Sequence, residues 1–166
     1  MKKLQSRKKN RLERYDYSQN GAYFITICAK DRQGILGTIV GDAAFGVPIV
    51  ELTKIGETVK SRIEHINDVP NMQVDKYAIM PNHLHLLITL TDGTPKAASP
   101  TKATIPQIVN ALKSLTSKDV GASIWQRSYH DHVIRNDAEY RSIWQYIDEN
   151  PARWSEDIYY VKKDDN

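Results

Sequence analysis

Apolar residues along this chain change their spacing several times, and each change marks an element. Over residues 22–30, Tyr23, Phe24, Ile25, Ile27 and Cys28 place strand-forming side chains on both faces. Residues 35–40 and 47–52 read as a short hairpin around residues 41–46. From Leu52 the period lengthens. Leu52, Ile55, Val59, Ile63 and Ile66 recur every three or four residues, which predicts an amphipathic helix ending near Pro70. Strand formers return on both sides of Pro81-Asn82 and run through Leu90, predicting strand, turn and strand. Residues 91–104 carry Gly93, Pro95, Ser99 and Pro100 and read as a loop. Ile105, Ile108, Val109, Leu112 and Leu115 mark a second helix, with Lys113 and Lys118 on its polar side. Residues 123–135 read as a further strand with irregular ends. Asn136 fits an N-cap, and Glu139 three residues on suggests a capping box opening a last helix over residues 137–149. Pro151 stops it, because the residue before a proline avoids helical geometry. Strands in hairpin-length pairs separated by helices predict an α+β domain. We expect a ferredoxin-like antiparallel sheet with helices packed mainly on one face.

At 166 residues the chain is one domain with room for a core. Its 40% hydrophobic and 26% charged content is ordinary for a globular protein, and no apolar run approaches the roughly 18 residues of a membrane span. The basic N-terminus lacks an apolar stretch of the signal-peptide kind behind it, so the cytoplasm is the expected location. A lone Cys28 excludes an intrachain disulfide and a cysteine-based zinc site, and its apolar neighbours make it a buried thiol.

Charge adds a second feature. Residues 1–18 hold seven Lys and Arg against two acids, +5 in all, which leaves the other 148 residues at −2. A basic arm on a near-neutral domain suits a polyanion, above all nucleic acid, although a solvated tail has the same composition. The expected layout is therefore an arm over 1–18, a domain over 19–154 and a polar tail over 155–166.

The candidate chemistry lies in His83-Leu84-His85. Strand side chains alternate, so both imidazoles leave one face, with anchor points roughly 6.5 Å apart. That bite suits one metal ion, whereas a bare His-x-His more often means two solvated histidines on a strand edge. On the last helix, Tyr146 and Asn150 are four residues apart and share a face. Beside the two imidazoles they make chemical sense together. Asn150 offers an amide oxygen as third ligand, and Tyr146 offers a phenol nucleophile next to a bound phosphate.

Pro81-Asn82-His83-Leu84-His85 resembles the His-hydrophobe-His motif of the HUH endonucleases. Trp125-Gln126-Arg127, His132-Val133-Ile134-Arg135-Asn136, Tyr140-Arg141 and Tyr146-Ile147-Asp148-Glu149-Asn150-Pro151 resemble, in order, the C-terminal blocks of the REP-associated tyrosine transposases. The likeness runs over residues 15–154. It implies His83, His85 and Asn150 as ligands of a divalent metal, Mg²⁺ or Mn²⁺, and Tyr146 as nucleophile. It further implies cleavage of single-stranded DNA near hairpins through a 5′-phosphotyrosine. The alternative is a domesticated hairpin-binding protein without catalysis. Lys8, Lys9, Arg11, Arg14, Arg127, His132 and Arg135 are the candidate DNA contacts, and monomer and homodimer both remain compatible. His130 and His132 form a second His-x-His, a competing metal pair with no nucleophile paired to it in sequence.

Overall fold

A computed structural model describes residues 15–41, 46–92 and 103–161. Lys8, Lys9, Arg11 and Arg14, most of the 91–104 loop and the tip of the first hairpin lie outside the described residues. The elements follow in the order β1 (Gly21–Cys28), β2 (Gly37–Val40), β3 (Ile49–Leu52), α1 (Lys54–Glu64), β4 (Met72–Met80), β5 (His83–Leu90), α2 (Ile105–Val120), β6 (His130–Ile134) and α3 (Asp137–Glu149). β2 and β3 pair only with each other. Without that hairpin the order is βαββαβ, and the main sheet runs β4-β5-β1-β6 with antiparallel neighbours throughout. This is the expected ferredoxin-like arrangement, with α3 added at its end.

Alternation along the strands divides the molecule into two layers. Tyr23, Ile25 and Ile27 of β1 and Leu84, Leu86 and Ile88 of β5 are fully buried on one face. There they join Val59 and Ile63 of α1 and Ile105, Val109 and Leu112 of α2 in one apolar cluster. Burying several such side chains contributes roughly 1.5–3 kcal/mol each before the entropy of ordering is counted. α1 comes close to the β2–β3 hairpin region through Gly56, where an added Cβ would lie 2.0 Å from the Leu36 carbonyl oxygen. The opposite face of the sheet receives α3, whose Ile147 is buried and whose Trp144 ring lies 5.0 Å below the Lys76 ammonium of β4. Lys76 also pairs with Asp148 of α3. Among the described residues, α1 and α2 therefore share one face, and α3 packs on the other.

The helix starts follow local chemistry. Thr53 caps α1 by accepting from Gly56 N at 3.1 Å. Thr104 and Gln107 form a reciprocal capping box on α2, and Gly121 ends it in the left-handed region at φ 77°. At α3 only half of the expected box forms. Asn136 Oδ1 accepts from Glu139 N at 2.9 Å, but the Glu139 carboxylate turns away from Asn136 to His132 and to Arg135 N. The strand expected over residues 123–135 contracts to β6, preceded by an isolated bridge between Trp125 and Ala29. Trp125 instead turns inward, buried, with its indole N–H donating to Thr116 Oγ1 at 2.7 Å. Among the described residues, no helix is long and apolar enough to cross a membrane.

Candidate active site

β5 is an interior strand, paired with β4 on one side and β1 on the other. Its histidines are consequently not the solvated edge pair that a bare His-x-His suggests: His83 is 0% and His85 1% exposed. Both point to the face covered by α3, with Cys28 and Thr26 of β1 as their cross-strand neighbours. Their Nε2 atoms face each other at 3.0 Å. Two ligands of one ion, each about 2.1 Å from it and about 90° apart, stand at just this spacing.

The outer nitrogens are held from behind. Asn82, between β4 and β5, is itself buried, and its Nδ2 donates to the carbonyls of Tyr159 at 2.8 Å and Arg32 at 3.3 Å. With the amide oriented that way, Oδ1 accepts from His83 Nδ1 at 2.9 Å, which leaves the His83 Nε2 lone pair turned inward. Thr26 Oγ1 lies 2.8 Å from His85 Nδ1 and, being donor and acceptor, suits either tautomer of that ring. Burial drives both imidazoles towards the neutral form. His83 is pushed down to about 3 by desolvation, with Arg32's charge adding to it. His85 is lowered by desolvation and then by His83, against an opposing pull from Asp157. Neutral imidazoles are the ligating form.

α3 brings Tyr146 and Asn150 to this pair. The Tyr146 hydroxyl lies 3.5 Å from His85 Nε2, and its ring meets Phe24 edge-on at 6.0 Å. The side chain is 40% exposed, so the phenol rests at the site yet stays open to a large substrate. Desolvation raises its pKa, with the negative charge of Asp157 next in effect, and the phenol is protonated at neutral pH. Asn150 is buried one turn on. Its Nδ2 donates to Asp157 Oδ2 at 3.2 Å, and its Oδ1 is a buried acceptor with no hydrogen-bond partner. Asn150 is linked to the imidazoles through Asp157, whose Oδ2 is 3.8 Å from His83 Nε2, and an orphaned amide oxygen with two neutral imidazoles is a donor set that fits a divalent cation.

The expected polar tail from residue 155 supplies a part of the site that sequence reading missed. After a 3₁₀ turn at Trp154–Glu156, Asp157 and Tyr159 fold back over the histidines. Asp157 Oδ2 is 3.8 Å from His83 Nε2, the Tyr159 ring centre is 4.6 Å from that of His83, and the Arg32 guanidinium covers the outer side of Tyr159 at 5.6 Å. His83, His85 and Asp157 form a group able to hold a metal ion. No motif flags Asp157, one of several acids in a polar stretch. Asn82 stood in the motif, but its role depends on Tyr159 from the far end of the chain.

The other candidates disperse. His132 is half-exposed and bonds Glu139 at 2.6 Å, tying β6 to the first turn of α3. Arg135 is exposed and gives its backbone N–H to the same carboxylate. His130 is exposed on β6, outside the metal-competent group. Arg127 lines a separate cleft of about 700 Å³ with Lys30, Lys113 and Trp125. Lys113 does not point free into that cleft, since its ammonium donates to the carbonyls of Gln126 and Arg127.

Comparison with known proteins adds to this geometry. The family described as "Transposase IS200 like" matches residues 18–150. An uncharacterized protein of Haemophilus influenzae is 33% identical over 177 residues, covering 95% of each chain. A REP-associated tyrosine transposase of Escherichia coli K12 is 24% identical, over 82% of this chain and 70% of its own. Among solved structures, a REP-associated tyrosine transposase bound to a REP hairpin shares the fold. Its TM-score is 0.60 at 22% identity, covering 87% of this chain and 74% of that one.

Proposed function

Since this chain belongs to the IS200-like transposase family, we propose that it nicks and rejoins single-stranded DNA beside hairpins, with Tyr146 as the nucleophile. The observation that carries this reading is the meeting of Tyr146 with the paired imidazoles, its hydroxyl 3.5 Å from His85 Nε2. His83, His85 and Asn150 would hold a divalent ion, Mn²⁺ or Mg²⁺. That ion supplies positive charge to polarise a phosphate and offset the charge that develops on it.

The remaining chemistry belongs to the chain. Tyr146 Oη attacks phosphorus and gives up its proton as the O–P bond forms. The bond from phosphorus to the 3′-oxygen breaks, and the departing oxygen takes up a proton. One phosphodiester is exchanged for another, so the reverse step rejoins DNA without a nucleotide cofactor. Asn82 and Thr26 fix the imidazoles, and Phe24 braces the phenol ring. The partner is single-stranded or hairpin DNA, reached in the cytoplasm, with the basic arm adding phosphate contacts.

The test is incubation with labelled hairpin-flanked single strands and Mn²⁺. The native protein should give cleavage and a covalent protein–DNA adduct, whereas Tyr146→Phe should give neither while still folding and binding hairpin. Cleavage by Tyr146→Phe that releases protein-free ends would indicate an activated water instead. An adduct that persists there and disappears in Tyr140→Phe or Tyr129→Phe would move the nucleophile. Hairpin binding by the native protein without any cleavage would favour the non-catalytic alternative.

A further inference from the structure

We propose that Asp157 is a carboxylate ligand of the ion held by His83 and His85, so that metal binding pins the C-terminal segment 154–160 onto the site. This rests on the reading of the site as a metal centre and extends it to a residue beyond the 18–150 stretch shared with the family.

Three observations converge. The first is position. Asp157 Oδ2 lies 3.8 Å from His83 Nε2, and one ligand atom from each of His83, His85 and Asp157 lies within 4.8 Å of the others. Atoms about 2.1 Å from a common ion are separated by about 3 Å when adjacent and about 4.2 Å when opposite, and 3.8 Å falls between those limits. The second is charge. The Asp157 side chain is 2% exposed, and the donors that hold it, Tyr159 N at 2.7 Å on Oδ1 and Asn150 Nδ2 at 3.2 Å on Oδ2, are neutral. A carboxylate taken out of water is stabilised by positive charge beside it, and a divalent ion held jointly by Asp157, His83 and His85 would supply it. The third is anchoring. The segment returns to the motif itself, since Tyr159 O accepts from Asn82 Nδ2, the residue that also orients His83. Oδ1 is occupied by the Tyr159 backbone, so Oδ2 is the oxygen turned to the cation.

The experiment compares the native full-length chain with Asp157→Asn and His83→Ala. Mn²⁺ affinity is measured by calorimetry, and melting is followed in chelator and in Mn²⁺. Asp157→Asn should weaken Mn²⁺ binding by about tenfold or more. The rise in melting temperature that Mn²⁺ gives over chelator should be smaller in Asp157→Asn than in the native protein. An unchanged Mn²⁺ affinity together with an equal rise in the two proteins would mark Asp157 as a hydrogen-bond acceptor only and overturn the proposal. In that case loss of Mn²⁺ binding by His83→Ala would leave the metal centre itself standing. Absence of Mn²⁺ binding in the native protein would sink both readings. Hydrogen exchange of the native chain decides the matter even should Asp157→Asn fail to fold. Mn²⁺ should slow exchange of the amides at 157–160, and equal exchange with and without Mn²⁺ would overturn the proposal.

Discussion

His83 shows how much of a site is decided one side chain at a time. A histidine with its Nδ1 committed to Asn82 and no access to water cannot readily take up a second proton. Its pKa in the fold is about 3, against about 6.5 when exposed. Between those values the unfolded chain binds a proton that the folded chain refuses, so stability falls as pH drops from about 6.5 towards 3. Above about 6.5 this histidine contributes no slope. Urea denaturation in chelator across pH 4–8 should show the fall, and it should be shallower in His83→Gln. Equal slopes in the two proteins would remove His83 as the source. Tyr146, only a few ångströms away, is in a different state because it is 40% exposed. The same site thus keeps its imidazoles dry and its phenol reachable.

At the scale of elements, α3 matters most, because it carries Tyr146 and ends at Asn150, its C-cap. Its N-terminus is held by Asn136, and its first turn is tied to β6 through His132 and Glu139. Loss of an N-cap of this kind costs about 1 kcal/mol, a drop in melting temperature of roughly 2–4 °C for a chain of this size. Asn136→Ala should show that drop in thermal denaturation. An unchanged melting temperature would mean that the tie through Glu139 holds the helix start without the cap. β5 presents the complementary case. Its period of two separates Leu84 and Leu86, which enter the apolar cluster, from His83 and His85, which face α3. A one-residue slip in register would exchange the two sets and destroy both the core and the site.

The whole molecule combines a near-neutral domain with seven Lys and Arg in its first 18 residues. Phosphate contacts release counterions, so deletion of residues 1–14 should weaken single-strand binding and flatten its dependence on salt. Binding measured at several salt concentrations checks this, and identical slopes would show that the arm makes no phosphate contacts. The sequence by itself determined the α+β class, the order of strands and helices, the pairing of two histidines on one strand face and the helical spacing of Tyr146 and Asn150. All of these are periodicities of 2 or 3.6 residues, set by local backbone geometry. The tertiary structure alone decided the rest. The burial of β5 between two neighbours turned a solvated-looking motif into a dry pair of imidazoles. The turn of Glu139 away from its own helix end was decided by β6 lying alongside. Asp157 and Tyr159 reach the site because the chain doubles back over 70 residues after His83, and no local pattern records that return. Contacts between residues far apart in sequence carry no periodic signal, and only the fold assembles them.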